Sequence, residues 1–213
     1  MSQIFIVGFG KFGKMALPIV RRHWGRSRVW IIDHDPAAFV CQSSFPGICV
    51  LDDGPQFLSQ YQKFIGDEDW IIPSLPIHLA WKWLDLNITT PGPRKAVRPP
   101  AELGNGLPYA QQLGKGLVVS FATSICPDNC PAPLVSCFKT KARKPVPLWR
   151  HLTEHPNLKG TIGVIESRQI APGIGGFLFK ELRRIQTVIQ QSTPPFYLAT
   201  ACRCHGIIHG FTW

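Results

Sequence analysis

Apolar and polar positions along the first ninety residues alternate between two periods. "QIFIV" (3–7) is almost continuously apolar and too short for a helix, which predicts a strand buried on both faces. "KFGKMALPIVRRHW" (11–24) carries apolar residues at helical spacing and stops at Gly25, although Pro18 falls inside and predicts a kink. Further strands are predicted at "RVWIIDHD" (28–35), "GICVLDDG" (47–54) and "DWIIPSLP" (69–76). A short helix falls around "PQFLSQYQKF", and another at "IHLAWKWLDL" (77–86) puts Leu79, Trp83 and Leu86 on a core-facing side. Strands alternating with helices in this way predict a parallel sheet with helices on its faces.

The second half is less regular. "TTPGPRKAVRPPAELGNGLP" (89–108) reads as a linker or loop. Strands follow at "GLVVSFATS" (116–124), "KGTIGVIES" (159–167) and "PPFYLATA" (194–201). "RQIAPGIGG" reads as a glycine-rich turn, and "FLFKELRRIQTVIQQ" (177–191) is the clearest helix. Strand, turn, helix and strand in that order predict a second βαβ unit. The expected fold class is α/β: a doubly wound, mostly parallel Rossmann-type sheet with a cysteine-containing, proline-rich irregular segment in its second half. Residues 1–90 would form the dinucleotide-binding half, and 91–213 would continue the same sheet.

Chemistry enters at "GFGKFG". Gly8 permits a tight turn, Gly10 lets a pyrophosphate approach the backbone, and Gly13 lets the helix pack against the strand. The helix N-terminus offers unpaired N–H groups to phosphates. Asp33, twenty residues after Gly13, closes the second strand and would accept bonds from ribose hydroxyls, favouring NAD(H) over NADP(H). Phe9, Lys11 and Phe12 within the turn, His34 after the acid, and Asp53 and Ser74 after the third and fourth strands complete the candidate cofactor site. The competing reading is a glycine turn kept for packing.

The run "IVGFGKFGKMA", "VWIIDHDP", "GICVLDDGPQFLSQY" and "DEDWIIPSLP" resembles the NAD-binding domain of Trk-type potassium-uptake regulators and regulator-of-potassium-conductance proteins. The resemblance covers roughly residues 3–85, with Lys11, Asp33 and Asp52/Asp53 at the family's basic and acidic positions. It implies a nucleotide site and a non-catalytic, NAD/NADH-sensing role. "LDDGP" departs from the family's Gly-Asp-Ala-type segment, and nothing beyond residue 90 resembles its second domain.

Charge and cysteines change the picture of the second half. The net charge is +10. Residues 1–90 hold eight Lys/Arg and eight Asp/Glu, so the excess lies in 91–213 with fifteen against five. No nucleic-acid module is recognisable, so a solvated basic surface is expected and specific nucleic-acid binding is not. No apolar run is long enough to cross a membrane and no signal peptide is evident, which predicts a cytoplasmic protein without membrane insertion. The partners expected are a dinucleotide and an unidentified small molecule or protein, with a homodimer left open.

Seven cysteines exceed what a reduced compartment requires. Cys126, Cys130 and Cys137 follow one predicted strand, and Cys202, Cys204 and His205 follow another, with His209 nearby. In a parallel sheet both groups would meet at the carboxyl edge, beside the dinucleotide. Three readings stand: a zinc or iron–sulfur site, a thiol redox pair, or inert reduced thiols. Cys41 and Cys49 lie beside strands and read as core. Ser74 and His78, and Glu166, Ser167 and Arg168, follow further strands. His78 is a weak candidate for proton transfer and Arg168 for anchoring an anion. The leading functional expectation is hydride transfer between a nicotinamide cofactor and an unnamed substrate.

Overall fold

A computed structural model describes residues 2–39, 47–155 and 159–213. Cys41 lies outside them. The elements follow in chain order as β1 (Gln3–Val7), α1 (Lys11–Trp24), β2 (Arg28–Asp33), β3 (Ile48–Leu51), α2 (Gly54–Gln60), β4 (Trp70–Pro73) and α3 (Leu79–Asn87). Then come β5 (Lys95–Val97), β6 (Tyr109–Leu113), β7 (Gly116–Ser120), α4 (Leu148–Thr153), β8 (Thr161–Glu166) and β9 (Arg168–Ala171). The chain ends with β10 (Ile174–Leu178), α5 (Phe179–Gln190), β11 (Phe196–Ala201) and β12 (His205–Thr212). It divides into two units: Met1–Asn87 with Ile174–Arg183, and Ile88–Gly173 with Arg184–Trp213.

The first unit is organised around β1, which pairs parallel with β2 on one side and β4 on the other. This central place explains its apolar composition: Ile4, Ile6 and Val7 are fully buried. β3 adds to β2 in parallel, and β10 adds to β4 antiparallel, giving the order β3-β2-β1-β4-β10. Helix α1 runs as one element through Pro18 and buries Gly13, Ala16, Leu17 and Val20. Leu79 and Trp83 of α3 are buried as their spacing predicts, whereas Leu86 is exposed. The start of α5 belongs here too. Phe179 packs edge-on against Trp83 at 5.7 Å, Lys180 pairs with Glu68 at 2.7 Å, and Arg183 pairs with Asp67.

The second unit has its own sheet, in the order β6-β7-β12-β11-β8, with β5 also paired to β12. β12 is antiparallel to β7, β11 and β5, and β6 is antiparallel to β7. Among the described residues of this sheet only β8 and β11 pair in parallel. Its core gathers Leu117, Val119, Leu148, Leu152, Ala199 and Ile208 among others.

Two mixed sheets therefore overturn the expected doubly wound, mostly parallel sheet running the length of the chain. The physical causes are two hairpin segments that look like turns in sequence. "RQIAPGIGG" turns at Gly173, whose φ of 78° suits glycine, and continues into β10, so the segment supplies a strand of the first sheet. "CRCHGIIHG" is a tight reversal from β11 into β12, and a short reversal can join only antiparallel neighbours. The parallel relation of β8 and β11 is present, but the chain between them first visits the first unit. Cys49 is also corrected: it is exposed because β3 lies at the sheet edge with β2 as its partner.

Candidate functional site

The glycine turn lies where β1 hands over to α1. Gly8 N–H donates to the Ile32 carbonyl at 2.8 Å, and Ser74 N–H donates to the Val7 carbonyl at 2.7 Å, so three strand ends are tied together. Gly8 has φ of 98°, and a Cβ there would stand 2.7 Å from the Ser74 carbonyl oxygen. A Cβ at Gly13 would stand 2.1 Å from the Gly8 carbonyl oxygen. Both glycines are required by the protein's own packing. Gly10 is different, because a Cβ there meets nothing within 4 Å.

The space beyond Gly10 is an open pocket of about 360 Å³. Its lining brings together Gly8, Phe9 and Gly10 of the turn, Lys14 one helical turn on, Asp33 at the end of β2 with His34 and Asp35 beyond it, and Ser74 after β4. Phe9 is buried and stacks on Phe39 at 6.1 Å, holding the turn against the chain after β2. Asp33 is 8% exposed and accepts from Phe9 N–H at 2.5 Å and from Asp35 N–H at 2.9 Å. The carboxylate thus holds the turn in place, and each oxygen keeps a second lone pair for a ligand hydroxyl. His34 Nδ1 lies 3.6 Å from the same carboxylate. An anion would meet the N-terminus of α1 and Lys14, while hydroxyls would meet Asp33 and Asp35.

Other expected site residues lie elsewhere. Lys11 sits over the exposed ring of Phe12 at 5.6 Å, and neither lines the pocket. Asp53 caps its own helix, accepting from Gln56 N–H at 3.1 Å. His78 is 5% exposed and its carbonyl accepts from Lys82 N–H, which places it at the start of α3 and outside the pocket lining. Arg168 opens β9 and pairs with Glu166 at 3.6 Å. Lys14 and Asp35 were not singled out in the sequence, although each sits within a helical turn or two residues of a motif position.

The cysteines gather in the second unit. β7 and β11 are both antiparallel to β12, so they run in the same direction and end where β12 begins. Cys126, Cys130 and Cys137 follow β7, while Cys202 and Cys204 form the β11–β12 reversal with His205. The expectation that this edge adjoins the dinucleotide rested on one continuous sheet, and the two sheets remove that premise.

The geometry at this end is specific. His205 lies between two sulfurs, with Nε2 at 3.4 Å from Cys126 Sγ and Nδ1 at 3.8 Å from Cys202 Sγ. Backbone N–H groups point at three sulfurs. Ala132 donates to Cys130, Thr140 to Cys137, and both Cys204 and His205 to Cys202, at 3.3–3.5 Å. Lys144 is 5% exposed; its ammonium donates to Cys204 Sγ at 3.1 Å and to the Pro133 carbonyl.

Protonation follows these surroundings. Burial pushes the Cys204 thiol up, with the Lys144 bond pulling the other way. Burial, and then the neighbouring Cys130, Cys137 and Cys204, push up Cys126. The bonds from Thr140 hold Cys137 below the usual thiol value. Among the described residues no three His, Cys, Asp or Glu side chains are drawn close enough to hold a single metal ion. No helix among them is long and apolar enough to cross a membrane.

The molecule is thus a two-unit mixed α/β protein, with a glycine-turn pocket in one unit and a cysteine cluster in the other. Residues 78–213 match the family described as "Uncharacterized protein, C-terminal domain", and the chain belongs to that family. A similar protein from Archaeoglobus fulgidus, itself described as uncharacterized, is 30% identical over 222 residues, covering 95% of this chain and 96% of its own. No solved structure matches the chain. All six residues of the cysteine cluster fall inside the matched family region, and the glycine turn precedes it.

Proposed function

We propose that the pocket at the first turn of α1 binds a dinucleotide, and that Asp33 makes NAD(H) the preferred form. The observation that carries the reading is Gly10. Its neighbours Gly8 and Gly13 have packing reasons to be glycine, whereas Gly10 faces open space at the helix N-terminus. A glycine with no packing reason suits the close approach of a pyrophosphate, which needs bare backbone. Calorimetry with NADH tests this on the wild-type protein and on Gly10→Val. We expect roughly a hundredfold weaker binding or more, about 2.7 kcal/mol, with the melting temperature nearly unchanged. A folded Gly10→Val protein that binds NADH as well as wild type rejects the reading.

Within that reading, a nicotinamide-sensing role is favoured over hydride transfer. His78, the candidate for proton transfer, is buried away from the pocket lining. Bound NADH should then change protease susceptibility without being oxidised in the presence of carbonyl substrates. Turnover of NADH with any such substrate would restore the enzymatic reading.

A further inference from the structure

We propose that strand β6 is a docking edge for a second copy of this chain, the two β6 strands pairing antiparallel about a two-fold axis at Gln111. The inference rests on the second unit and does not depend on the dinucleotide pocket.

The edge is open. β6 ends the sheet order β6-β7-β12-β11-β8, and all 5 of its residues, Tyr109–Leu113, are exposed. It pairs with β7 from Tyr109↔Ser120 to Leu113↔Gly116, so Gly114 and Lys115 form a two-residue turn, with Gly114 at φ of 59°. A turn of this length is closed by a residue pair that exchanges both backbone bonds, and such pairs alternate along an antiparallel ladder. Leu113, Gln111 and Tyr109 therefore bond inwards to β7. The N–H and C=O groups of Ala110 and Gln112 point outwards, and they have no bond partner among the described residues.

Sheet edges are usually blunted against such pairing. At the opposite edge of this sheet, the Arg184 guanidinium donates to the Val164 carbonyl of β8 at 2.6 Å. β6 itself carries no charge, no proline and no extra residue in its register. From Leu103 to Gly114 the chain has no charged side chain, within a half that holds fifteen Lys/Arg against five Asp/Glu. Two copies of a basic chain repel, and an uncharged strand lets them meet without setting like charges opposite each other.

A second copy fits because the strand is its own complement. An axis at Gln111 sets Ala110 opposite the partner's Gln112, and Gln112 opposite the partner's Ala110. Each of these pairs exchanges both backbone bonds, so every outward group of β6 is satisfied. An axis at Ala110 or at Gln112 would pair only half of the outward groups within β6. The side chains agree with this register. Ala110 lies on the Gly104 side of the sheet, while the Tyr109 hydroxyl donates to Gln111 Oε1 on the other side. There Tyr109, 38% exposed, would cover the partner's Leu113, and Leu113, 54% exposed, would be covered in return. The flanking charges also match: Glu102 precedes β6 and Lys115 follows it, and antiparallel pairing turns the basic end of each strand towards the acidic approach of the other.

The test is sedimentation velocity on the full chain between about 1 and 500 µM. So small an interface predicts an exchanging dimer, with a dissociation constant on the order of 10–100 µM. Gln111→Lys sets two ammonium groups against each other at the axis and should weaken the dimer about tenfold or more. Its circular dichroism and melting temperature should stay as in wild type, because Gln111 is exposed. A covalent readout checks the register. Gln111→Cys brings two thiols to the axis within the span of a disulfide, whereas Gln112→Cys leaves their Cα atoms about 8–9 Å apart, beyond it. With oxidised glutathione, the two axial thiols form one disulfide while the oxidant leaves as two reduced glutathiones. We expect more than half of Gln111→Cys to become a reducible dimer, and wild type and Gln112→Cys to stay at background. A wild-type chain that remains monomeric up to about 500 µM overturns the proposal. So does a dimer that Gln111→Lys leaves unchanged, or a Gln112→Cys protein that cross-links as readily as Gln111→Cys.

Discussion

In the first unit, three glycines within six residues shape a pocket through the side chains they lack. In the second, side chains from positions 60 and 79 residues apart are gathered at one end of a sheet. The pocket is walled by the bare backbone of the turn together with Lys14, Asp33 and Ser74. The cluster is walled by sulfur, nitrogen and a buried ammonium, and exists only once β7, β11 and β12 have paired. The two regions should therefore fail differently. The pocket is damaged by adding atoms, and the cluster by removing them.

The largest effect is expected at Gly13. A methyl group there meets the Gly8 carbonyl oxygen at 2.1 Å, so Gly13→Ala should lose about 3 kcal/mol of stability. That corresponds to roughly 6–12 °C in melting temperature for a chain of this size, read by calorimetry. Gly10→Ala should stay within about 1 kcal/mol of wild type, since it adds a side chain only to open space at the helix cap. Equal losses at the two positions would erase the distinction between a glycine kept for packing and one kept for a ligand.

A subtraction in the second unit should come next. Lys144→Met keeps the bulk of the side chain but leaves the Pro133 carbonyl and the Cys204 sulfur without their donor. A loss of about 2 kcal/mol is expected from the urea midpoint at constant slope. No loss would mean that the ammonium is not needed, and the comparison would tilt towards an apolar cluster.

The smallest effect sharpens the pocket alone. NADH should bind about tenfold more tightly than NADPH, near 1.4 kcal/mol, because Asp33 repels a 2′-phosphate. Asp33→Asn keeps an acceptor for Phe9 N–H while removing the charge, and should narrow the ratio to below about threefold. Competition binding measures both. A ratio that does not move would show that Asp33 serves only to hold the turn.

These contrasts explain what was readable beforehand. Strand, turn, helix and acid are consecutive in sequence, so Gly8, Gly13 and Asp33 declare their places through local spacing. β10 and β12 did not, because glycines at 175, 176, 206 and 210 weaken strand propensity and read as turns. Once those strands are missed, the remaining pattern suggests one parallel sheet. The two cysteine groups do share an end of a sheet, but through a common antiparallel neighbour. Lys144 was invisible for a related reason: within "KTKARKP" nothing local separates a buried lysine from solvated ones, and only tertiary contact with Cys204 does so.

The return of residues 174–183 to the first unit has a consequence for how the protein is made. β4 gains an antiparallel partner in β10, and Asp67, Glu68 and Trp83 gain theirs in α5. On the ribosome, β1 to α3 emerge first, yet the edge of β4 stays open until translation has passed through most of the second unit. At ordinary elongation rates that interval is about 5–20 s, long compared with the formation of a helix or hairpin. The nascent first unit therefore waits with an unpaired strand edge, and its completion follows the synthesis of the chain that interrupts it. A ribosome stalled before residue 174 would hold an unfinished sheet.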